Sequence, residues 1–395
     1  MKKVLFFTHY LVGGGAEKTI INLAEYINKN RTDWEAYICV VNTDKEVEKQ
    51  LTSKVIVLDS RTAPEMNKLA KAVVVLKQAK ELKKVKRELG IDTCVSFLPG
   101  ADLLNVLSRG KERIVMSVRN KESLFVHSIF RKFYIKYCYA HADKIVAISK
   151  RVAYDICHFF GVKEDKVVTI YNPGPDFVVS NNIPEEYETL TREKRVIITA
   201  GRLTEQKGQG YLIKAFTRIH KECPDTHLVI LGKGELEDDL KNLVKKLDLE
   251  QAVSFYGFVR NPYDYIAKAE LFVFSSIVEG LGNVLVETLK CGTPIVSTDC
   301  DCGPREILAP DTDFTYSTDK IEYAEYGVLV PVCSGDYFDS VSACTKEEQI
   351  LARAVCDLLQ NKELREKYAE KCSERIADFD IAKIVEEWIQ IIGDN

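Results

Sequence analysis

The chain has 395 residues, 46% of them hydrophobic, with 55 Lys+Arg against 59 Asp+Glu and a formal net charge of -4. That length supports two domains with separate cores. No apolar run approaches the roughly 20 residues that a spanning helix needs, so no transmembrane segment is expected. Charge is uneven along the chain. Residues 1–180 hold 30 Lys+Arg against 20 Asp+Glu, a balance of +10, and the remainder holds 25 against 39, a balance of -14. A basic part and an acidic part imply different partners. The 12 cysteines are scattered, and Cys300 and Cys302 form the only close pair. Reduced thiols in the cytosol are therefore expected, and no zinc site.

The opening MKKVLFFTHYLVGGG carries a short apolar run that ends in His9 and Tyr10 and leads into Gly13, Gly14 and Gly15. It reads as a first strand rather than a signal peptide. Ala16, Thr19, Ile20, Leu23, Ala24 and Ile27 then follow the 3.6-residue period of an amphipathic helix. A glycine turn between strand and helix lets backbone approach a phosphate or a sugar, and it also serves simple packing. It is neither the GxGxxG fingerprint nor a P-loop. Further strands are predicted at Tyr37–Val41, Val55–Leu58, Cys94–Leu98, Ile114–Val118 and Lys144–Ile148, several with helical patterns between them. That alternation predicts a parallel sheet with helices on both faces. Ligands of such sheets sit beyond the carboxyl ends of the strands, which places Gly13–Gly15, Pro99–Gly100, Arg119–Asn120 and Ser149 on one rim.

Two segments are strongly basic. Lys68 to Arg87 carries Lys68, Lys71, Lys77, Lys80, Lys83, Lys84, Lys86 and Arg87 with Glu81 as its one acid. Arg109 to Lys136 includes HSIFRKFYIKYCYAH, where Phe130, Phe133, Tyr134, Tyr137 and Tyr139 mix with Arg131, Lys132 and Lys136. Such a surface suits the headgroup layer of an anionic membrane. The competing reading is a solvated helix face with its aromatics in the core. Nucleic acid fits poorly, because the acidic second part repels a long polyanion and no nucleic-acid motif appears.

Val167 to Pro175 is a strand running into Asn172-Pro173-Gly174-Pro175, and the polar stretch to about Arg195 reads as an interdomain connection. A fresh strand at Arg195–Ala200 opens the second domain. GRLTEQKGQG follows it, with Arg202 and Lys207 on one loop ahead of the next helix, a second candidate anion site. Strands at Leu228–Leu231 and Val253–Phe255 end in Gly232 and in Gly257, Phe258 and Val259. The apolar LFVFSS from Leu271 leads into Glu279, Gly280 and Gly282, and helical character resumes at Val284–Leu289. Strand, glycine loop and helix read either as an anion site at the helix N-terminus or as a structural turn with two solvated acids. Glu279 and Glu287 bracket that turn, and a carboxylate there suits a neutral hydroxyl better than a phosphate. A strand at Pro294–Ser297 and DCDCGPREIL come next. Ala309–Cys344 is irregular apart from Gly327–Pro331. Helices are predicted at Glu347–Gln360, Glu363–Ile376 and Ile381–Ile392.

The motifs GGGAEK, ADKIVAIS, IYNP, GRLTEQKG, LGKGE, EGLGNVLVE and GTPIVSTDC together resemble the retaining glycosyltransferases of family 4, over nearly the whole chain. The details NVLVE and GPREIL resemble bacterial enzymes that add hexoses or N-acetylhexosamines to lipid-linked oligosaccharides. The resemblance implies an α/β GT-B fold, two Rossmann-like domains facing across a cleft. It implies an acceptor-binding domain at 1–175, a linker at 176–194, a nucleotide-sugar-binding domain at 195–377, and a helix at 378–395 packing back toward the first domain.

The resemblance also implies roles. Arg202 and Lys207 pair with the nucleotide diphosphate, and the amides of Gly282, Asn283 and Val284 cap the same phosphates. Glu287 takes ribose hydroxyls, Glu279 takes donor-sugar hydroxyls, and Gly232, Phe258 and Val259 lie near the base. Gly14 and Gly15 let the first domain close over phosphate and acceptor. Many relatives have a His at the end of the fifth strand. Here SVRN puts Arg119 or Asn120 in that place, to orient the sugar or acceptor. Arg202 and Lys207 take the place of a divalent metal, so no metal and no other cofactor is expected.

The expected reaction moves a hexose or N-acetylhexosamine, N-acetylgalactosamine as the leading choice, from a UDP-sugar to a polyprenyl-diphosphate saccharide with an α linkage. The expected place is the cytoplasmic, inner face of the membrane, held through the basic N-terminal domain. Alternatives on the same fold are a sugar synthase or phosphorylase with a soluble acceptor, or a nucleotide-sugar epimerase. A non-catalytic nucleotide-sugar-binding subunit is the third reading, against which the complete set Arg202, Lys207, Glu279 and Glu287 stands.

Overall fold

The computed structural model describes residues 1–11, 14–43, 48, 51–60, 66–180, 182–338 and 341–394, with Lys68 described by its backbone alone. Gly13, Asn181 of the expected connection, residues 339–340 of the irregular stretch and Asn395 lie outside the described residues. The chain divides into two compact units, Met1–Pro173 with Asp380–Asn395, and Gly174–Phe379.

The first unit is built on seven strands: β1 (Lys2–Leu11), β2 (Trp34–Thr43), β3 (Val55–Val57), β4 (Thr93–Phe97), β5 (Arg113–Val118), β6 (Lys144–Ala147) and β7 (Val167–Thr169). Their order is β3-β2-β1-β4-β5-β6-β7, and every pairing is parallel. Parallel strands are covered on both faces, which is why β1 reads as an unbroken apolar run. Its residues alternate between two cores. Val4 and Phe6 join one with Ile20, Leu23 and Ile27 of helix α1 (Gly15–Asn30). Leu5 and Phe7 join the other with Ala79 and Leu82 of α2 (Lys68–Leu89) and Ala101 and Leu104 of α3 (Pro99–Leu107). Helices α4 (Ile129–His141) and α5 (Lys150–Phe160) complete the order before β7.

Local signals set the helix ends. Asn67 caps α2 by accepting from the Ala70 N–H at 2.8 Å, and Gly90 ends it in the left-handed region at φ 64°. One cation expected on the surface of α2 is instead internal. Lys86 is buried, and its ammonium donates to Glu112, Ser108 and Asn105 Oδ1, each at 2.8 Å. Burial of a lone ammonium is costly, and this one is matched by a carboxylate and two further acceptors.

The second unit carries β8 (Arg195–Ala200), β9 (Thr226–Leu231), β10 (Val253–Gly257), β11 (Leu271–Phe274), β12 (Ile295–Thr298), β13 (Glu322–Tyr323) and β14 (Val328–Val330). The order is β10-β9-β8-β11-β12-β14-β13, parallel throughout except for the antiparallel β13–β14 pair. The stretch expected as a connection holds a helix, α6 (Glu185–Glu193). Its Tyr187 is fully buried among Tyr256 and Tyr265 and donates to the Tyr265 carbonyl at 2.8 Å. The remaining helices are α7 (Gln209–Glu222), α8 (Glu237–Lys246), α9 (Tyr263–Lys268), α10 (Asn283–Cys291), α11 (Pro304–Leu308), α12 (Lys346–Gln360) and α13 (Lys362–Ile376).

After the second unit the chain returns to the first as α14 (Ile381–Gly393). Ile384, Val385, Trp388 and Ile392 bury against the α1 face of the first sheet, with Trp388 stacked on Phe97 at 6.1 Å between ring centroids. Asp380 caps this helix through the N–H groups of Ala382 and Lys383. Among the described residues no helix is long and apolar enough to cross a membrane.

Candidate active site

Because the sheet of the second unit is parallel from β10 to β14, the loops after β8, β9, β10, β11 and β12 leave from one edge. Those loops hold Arg202 and Lys207, Gly232, Phe258 and Val259, Glu279 and Gly282, and Gly303. Backbone contacts lash them together. Gly208 has φ +67°, and a Cβ there would lie 1.9 Å from the Ser275 carbonyl oxygen, so only glycine lets the two loops touch. Gly232 is equally confined, since a Cβ would lie 1.8 Å from the Gly201 carbonyl oxygen. The Gly232 N–H also donates to the Gly257 carbonyl at 2.7 Å.

The result is a fixed place for Lys207. Ser275 Oγ donates to the Lys207 carbonyl at 3.0 Å, the Ile277 N–H to the Gln206 carbonyl at 2.8 Å, and Gln206 Nε2 to the Val278 carbonyl at 2.8 Å. Held from both sides, the Lys207 ammonium reaches Glu279 Oε1 at 2.5 Å. The two side chains are 19% and 9% exposed, and the ammonium lies 5.9 Å from the centre of the Phe274 ring. An ion pair this dry is screened far less than one at the surface. The carboxylate has lone pairs left over for other donors.

Arg202 differs. It is exposed, and its guanidinium makes no hydrogen bond or ion pair among the described residues. Gln209 Nε2 holds its carbonyl at 3.0 Å. Gln206, Ser275 and Gln209 thus position the two cations. The sequence reading gave none of the three a role, although Gln209 adjoins a loop glycine and Ser275 a strand end.

Helix α10 begins at Asn283 behind Gly282, which has φ 83°, and no side chain caps it. Its first amides include those of Asn283 and Val284, and a helix start of this kind favours an anion. Glu287 is half-buried one turn further in, where its charge and burial together push the Tyr263 hydroxyl pKa up, burial being the larger cause. Tyr263 is itself stacked on Phe177 at 3.8 Å between centroids. Phe258 is exposed and Val259 half-buried at the end of β10. This edge therefore gathers two cations, a helix start, two carboxylates and an exposed aromatic. Such a set suits a ligand with anionic and hydroxyl parts. Among the described residues no three His, Cys, Asp or Glu side chains gather as a metal site would require.

In the first unit the corresponding edge carries Gly14, Gly15, Asn120 and Ser149. The Gly14 N–H is already engaged, donating to Glu17 Oε2 at 2.9 Å in a capping box. Arg119 turns inward. Its guanidinium donates to Asn172 Oδ1, to Ser117 Oγ at 3.1 Å and to Thr19 Oγ1 at 3.2 Å, and packs over Phe97. Burial pulls its pKa down to about 9. It ties α1 and the residues after β7 to the end of β5. Asn120 is exposed and makes no hydrogen bond among the described residues.

Comparison with known proteins agrees with this architecture. Residues 13–173 match the model described as Glycosyltransferase Family 4, and residues 184–326 the model described as Glycosyl transferases group 1. An uncharacterised glycosyltransferase of Methanocaldococcus jannaschii is 33% identical over 340 residues, covering 80% of this chain and 83% of that one. The N-acetylgalactosamine-N,N'-diacetylbacillosaminyl-diphospho-undecaprenol 4-alpha-N-acetylgalactosaminyltransferase of Campylobacter jejuni is 30% identical over 401 residues, covering 99% of this chain and all of that one. Among solved structures, Anabaena HepE in complex with UDP and glucose superposes with a TM-score of 0.77 over the full length of both chains, at 18% identity. With two parallel α/β units of the GT-B type and relatives matched from end to end, the chain belongs to the family 4 glycosyltransferases.

Proposed function

We propose that this glycosyltransferase moves a hexose or N-acetylhexosamine, N-acetylgalactosamine first among them, from a UDP-sugar to a polyprenyl-diphosphate-linked saccharide. The product carries an α linkage, configuration is retained, and no divalent metal takes part. The reaction belongs to the assembly of a bacterial surface polysaccharide or glycan, at the inner face of the cytoplasmic membrane. The observation that carries the reading is the half-dry Lys207–Glu279 pair beside the exposed Arg202. The name of the Campylobacter relative, matched over both full lengths, supports the choice of donor and acceptor class.

Cleavage of the glycosyl–phosphate bond leaves about one extra negative charge on UDP. Fixed cations and amides away from bulk water stabilise it better than water does. Arg202, Lys207 and the α10 start at Gly282, Asn283 and Val284 take the pyrophosphate. Glu279 keeps one carboxylate oxygen on Lys207 and offers its other lone pairs to hydroxyls of the donor sugar. Glu287 takes ribose hydroxyls, and Phe258, Val259 and Gly232 border the base. A departing phosphate oxygen accepts the proton of the attacking hydroxyl, which needs no protein nucleophile. Gly14 and Gly15 provide close backbone rather than a free amide, because Glu17 already occupies the Gly14 N–H.

Incubation of the purified chain with UDP-N-acetylgalactosamine and a polyprenyl-diphosphate saccharide is expected to lengthen the saccharide by one residue. The new linkage should be α by NMR, and the rate unchanged by EDTA. UDP should raise the melting temperature, as any ligand selective for the folded state does. A folded chain that binds UDP yet lengthens no lipid-linked saccharide would overturn the acceptor, and a β product would overturn retention.

The membrane part of the reading rests on two exposed faces of the first unit, on α2 and α4, with α3 against both. On α4, Ile129, Phe130 and Phe133 are exposed beside Arg131 and Lys136, Phe130 at 82%. On α2, Leu69, Val73 and Leu76 are exposed beside Lys71, Lys77 and Lys80, Leu69 at 81%. Each cation near an anionic surface contributes about 1 kcal/mol, and a fully buried Phe about 1.5–3 kcal/mol. The chain is expected to float with phosphatidylglycerol vesicles and to be released by high salt. The double variant Phe130→Ser/Phe133→Ser should bind at least about tenfold more weakly. A chain that stays at the bottom of the gradient at low salt points instead to a soluble acceptor.

A further inference from the structure

Helix α7 starts behind Gly208, an N-cap with φ 67° and no side chain to offer. A bare helix start of this kind suits an anion, as expected for the loop that carries Arg202 and Lys207. Here a tyrosine takes the place. Tyr337, from the loop after β14, lies across the first turn. A Cβ on Gly210 would lie 2.7 Å from Tyr337 Cε1 and 2.7 Å from the Tyr337 carbonyl oxygen, so residue 210 must lack a side chain for the ring to fit. The ring meets Tyr211 edge-on at 5.0 Å between centroids, and the Tyr211 hydroxyl donates to the Gly335 carbonyl at 3.0 Å. Tyr337 is thus 6% exposed, and the backbone amides of Gly210 and Gln209 face its hydroxyl. Burial pushes the hydroxyl pKa up to about 12, so it keeps its proton at neutral pH.

Among the described residues the Tyr337 hydroxyl has no hydrogen-bond partner, and neither has Oε1 of Gln209, a residue 2% exposed. Buried polar atoms without partners are rare, and each is costly. These two are complementary. The hydroxyl is a donor lacking an acceptor, and the amide oxygen is an acceptor lacking a donor. Both sit at the first turn of α7. The other end of the same amide is engaged. Gln209 Nε2 donates to the Arg202 carbonyl at 3.0 Å, which the Thr204 N–H also reaches at 3.0 Å. An amide turned the other way would set oxygen against oxygen, so whatever holds Oε1 also keeps Nε2 on Arg202.

We propose that Tyr337 is a positioning residue for Arg202. Its hydroxyl donates to Gln209 Oε1, directly or through one buried water, and fixes the amide that holds the Arg202 carbonyl. This rests on the transferase reading above, in which Arg202 takes the pyrophosphate of the donor. The start of α7 is then closed by a side chain, and the pyrophosphate is left to Arg202, Lys207 and the start of α10.

Tyr337→Phe deletes one oxygen and keeps the ring against Tyr211. With the full chain, it is expected to raise the Kd of UDP about fivefold, the factor that one lost hydrogen bond of about 1 kcal/mol implies. In an Arg202→Ala background the same substitution should change that Kd by less than about twofold, because its effect passes through the residue already removed. An equal loss in both backgrounds would overturn the positioning role, since a purely structural defect adds to the loss of Arg202. Unchanged UDP affinity in Tyr337→Phe alone would overturn it as well. NMR of the Gln209 side-chain amide needs no ligand. Its signal, assigned by its absence from Gln209→Met, should exchange slowly with solvent in the wild type and faster in Tyr337→Phe. Unchanged exchange would sink the bond between the two side chains. Loss of UDP affinity in Tyr337→Phe alone, in a chain that lengthens no saccharide, keeps the positioning role and sinks the transferase reading.

Discussion

Lys207→Ala is expected to lower kcat by about 10²–10³-fold, the loss measured when one fixed group facing a developing negative charge is removed. Two effects combine. In the proposed reaction the departing diphosphate would lose its half-dry cation, and Glu279, 9% exposed, is left without its partner at 2.5 Å. An unpaired carboxylate beside an anionic leaving group opposes the reaction, so the single variant overstates what the ammonium contributes. Glu279→Gln in the Lys207→Ala background removes that repulsion and should recover part of the rate. The double variant therefore separates loss of attraction from gain of repulsion, as a mutant cycle requires. Arg202→Ala should cost less, because an exposed guanidinium acts through solvent that screens it. All three variants should melt within a few degrees of the wild type, since the loops are held by Ser275, Gln206 and Gln209 rather than by the ion pair. Undiminished kcat in Lys207→Ala would remove the second unit's loop cation from the mechanism.

The sequence made the βαβ order legible because strands buried on both faces are written as apolar runs. Arg195–Ala200 was read with both ends in place, and Leu271–Phe274 lies inside its predicted run. The loop residues Arg202, Lys207, Glu279 and Gly282 were legible because glycines and charges stood at strand ends. What escaped was the direction of side chains. Arg119 stands at a strand end in sequence, yet its acceptors are Thr19 and Asn172, far away along the chain. Lys86 repeats with its neighbouring lysines, but a turn of α2 points it at Glu112. Composition marked 176–194 as a connection, and Tyr187, one aromatic among acids, is what roots it in the second unit. Each miss has one cause. Charge patterns show how many cations a helix carries, not which remote residue answers them.

The return of α14 to the first unit yields the second large expectation. Trp388→Ala should destabilise that unit by about 3–5 kcal/mol, the usual loss for a fully buried Trp cut back to a methyl group. The indole is fully buried, stacks on Phe97, and shares its core with Ile20, Leu23 and Trp34. The helix is also tied by its backbone, with Thr93 Oγ1 donating to the Ile392 carbonyl at 2.8 Å and Lys2 Nζ to the Gly393 carbonyl at 2.7 Å. Trp388→Phe should cost far less than the alanine. It keeps a ring against Phe97 and discards an indole N–H that finds no acceptor among the described residues. The chain's two tryptophans, Trp34 and Trp388, both lie in the first unit, so in either variant Trp34 is the remaining indole and reports that unit alone. Urea unfolding followed by Trp34 emission thus isolates one transition in a chain where a single two-state fit would mislead. A midpoint unmoved in Trp388→Ala would mean that α14 rests on the first sheet without stabilising it. The last sixteen residues could then be removed at no cost to the first unit, an outcome the shared core and the two backbone ties oppose.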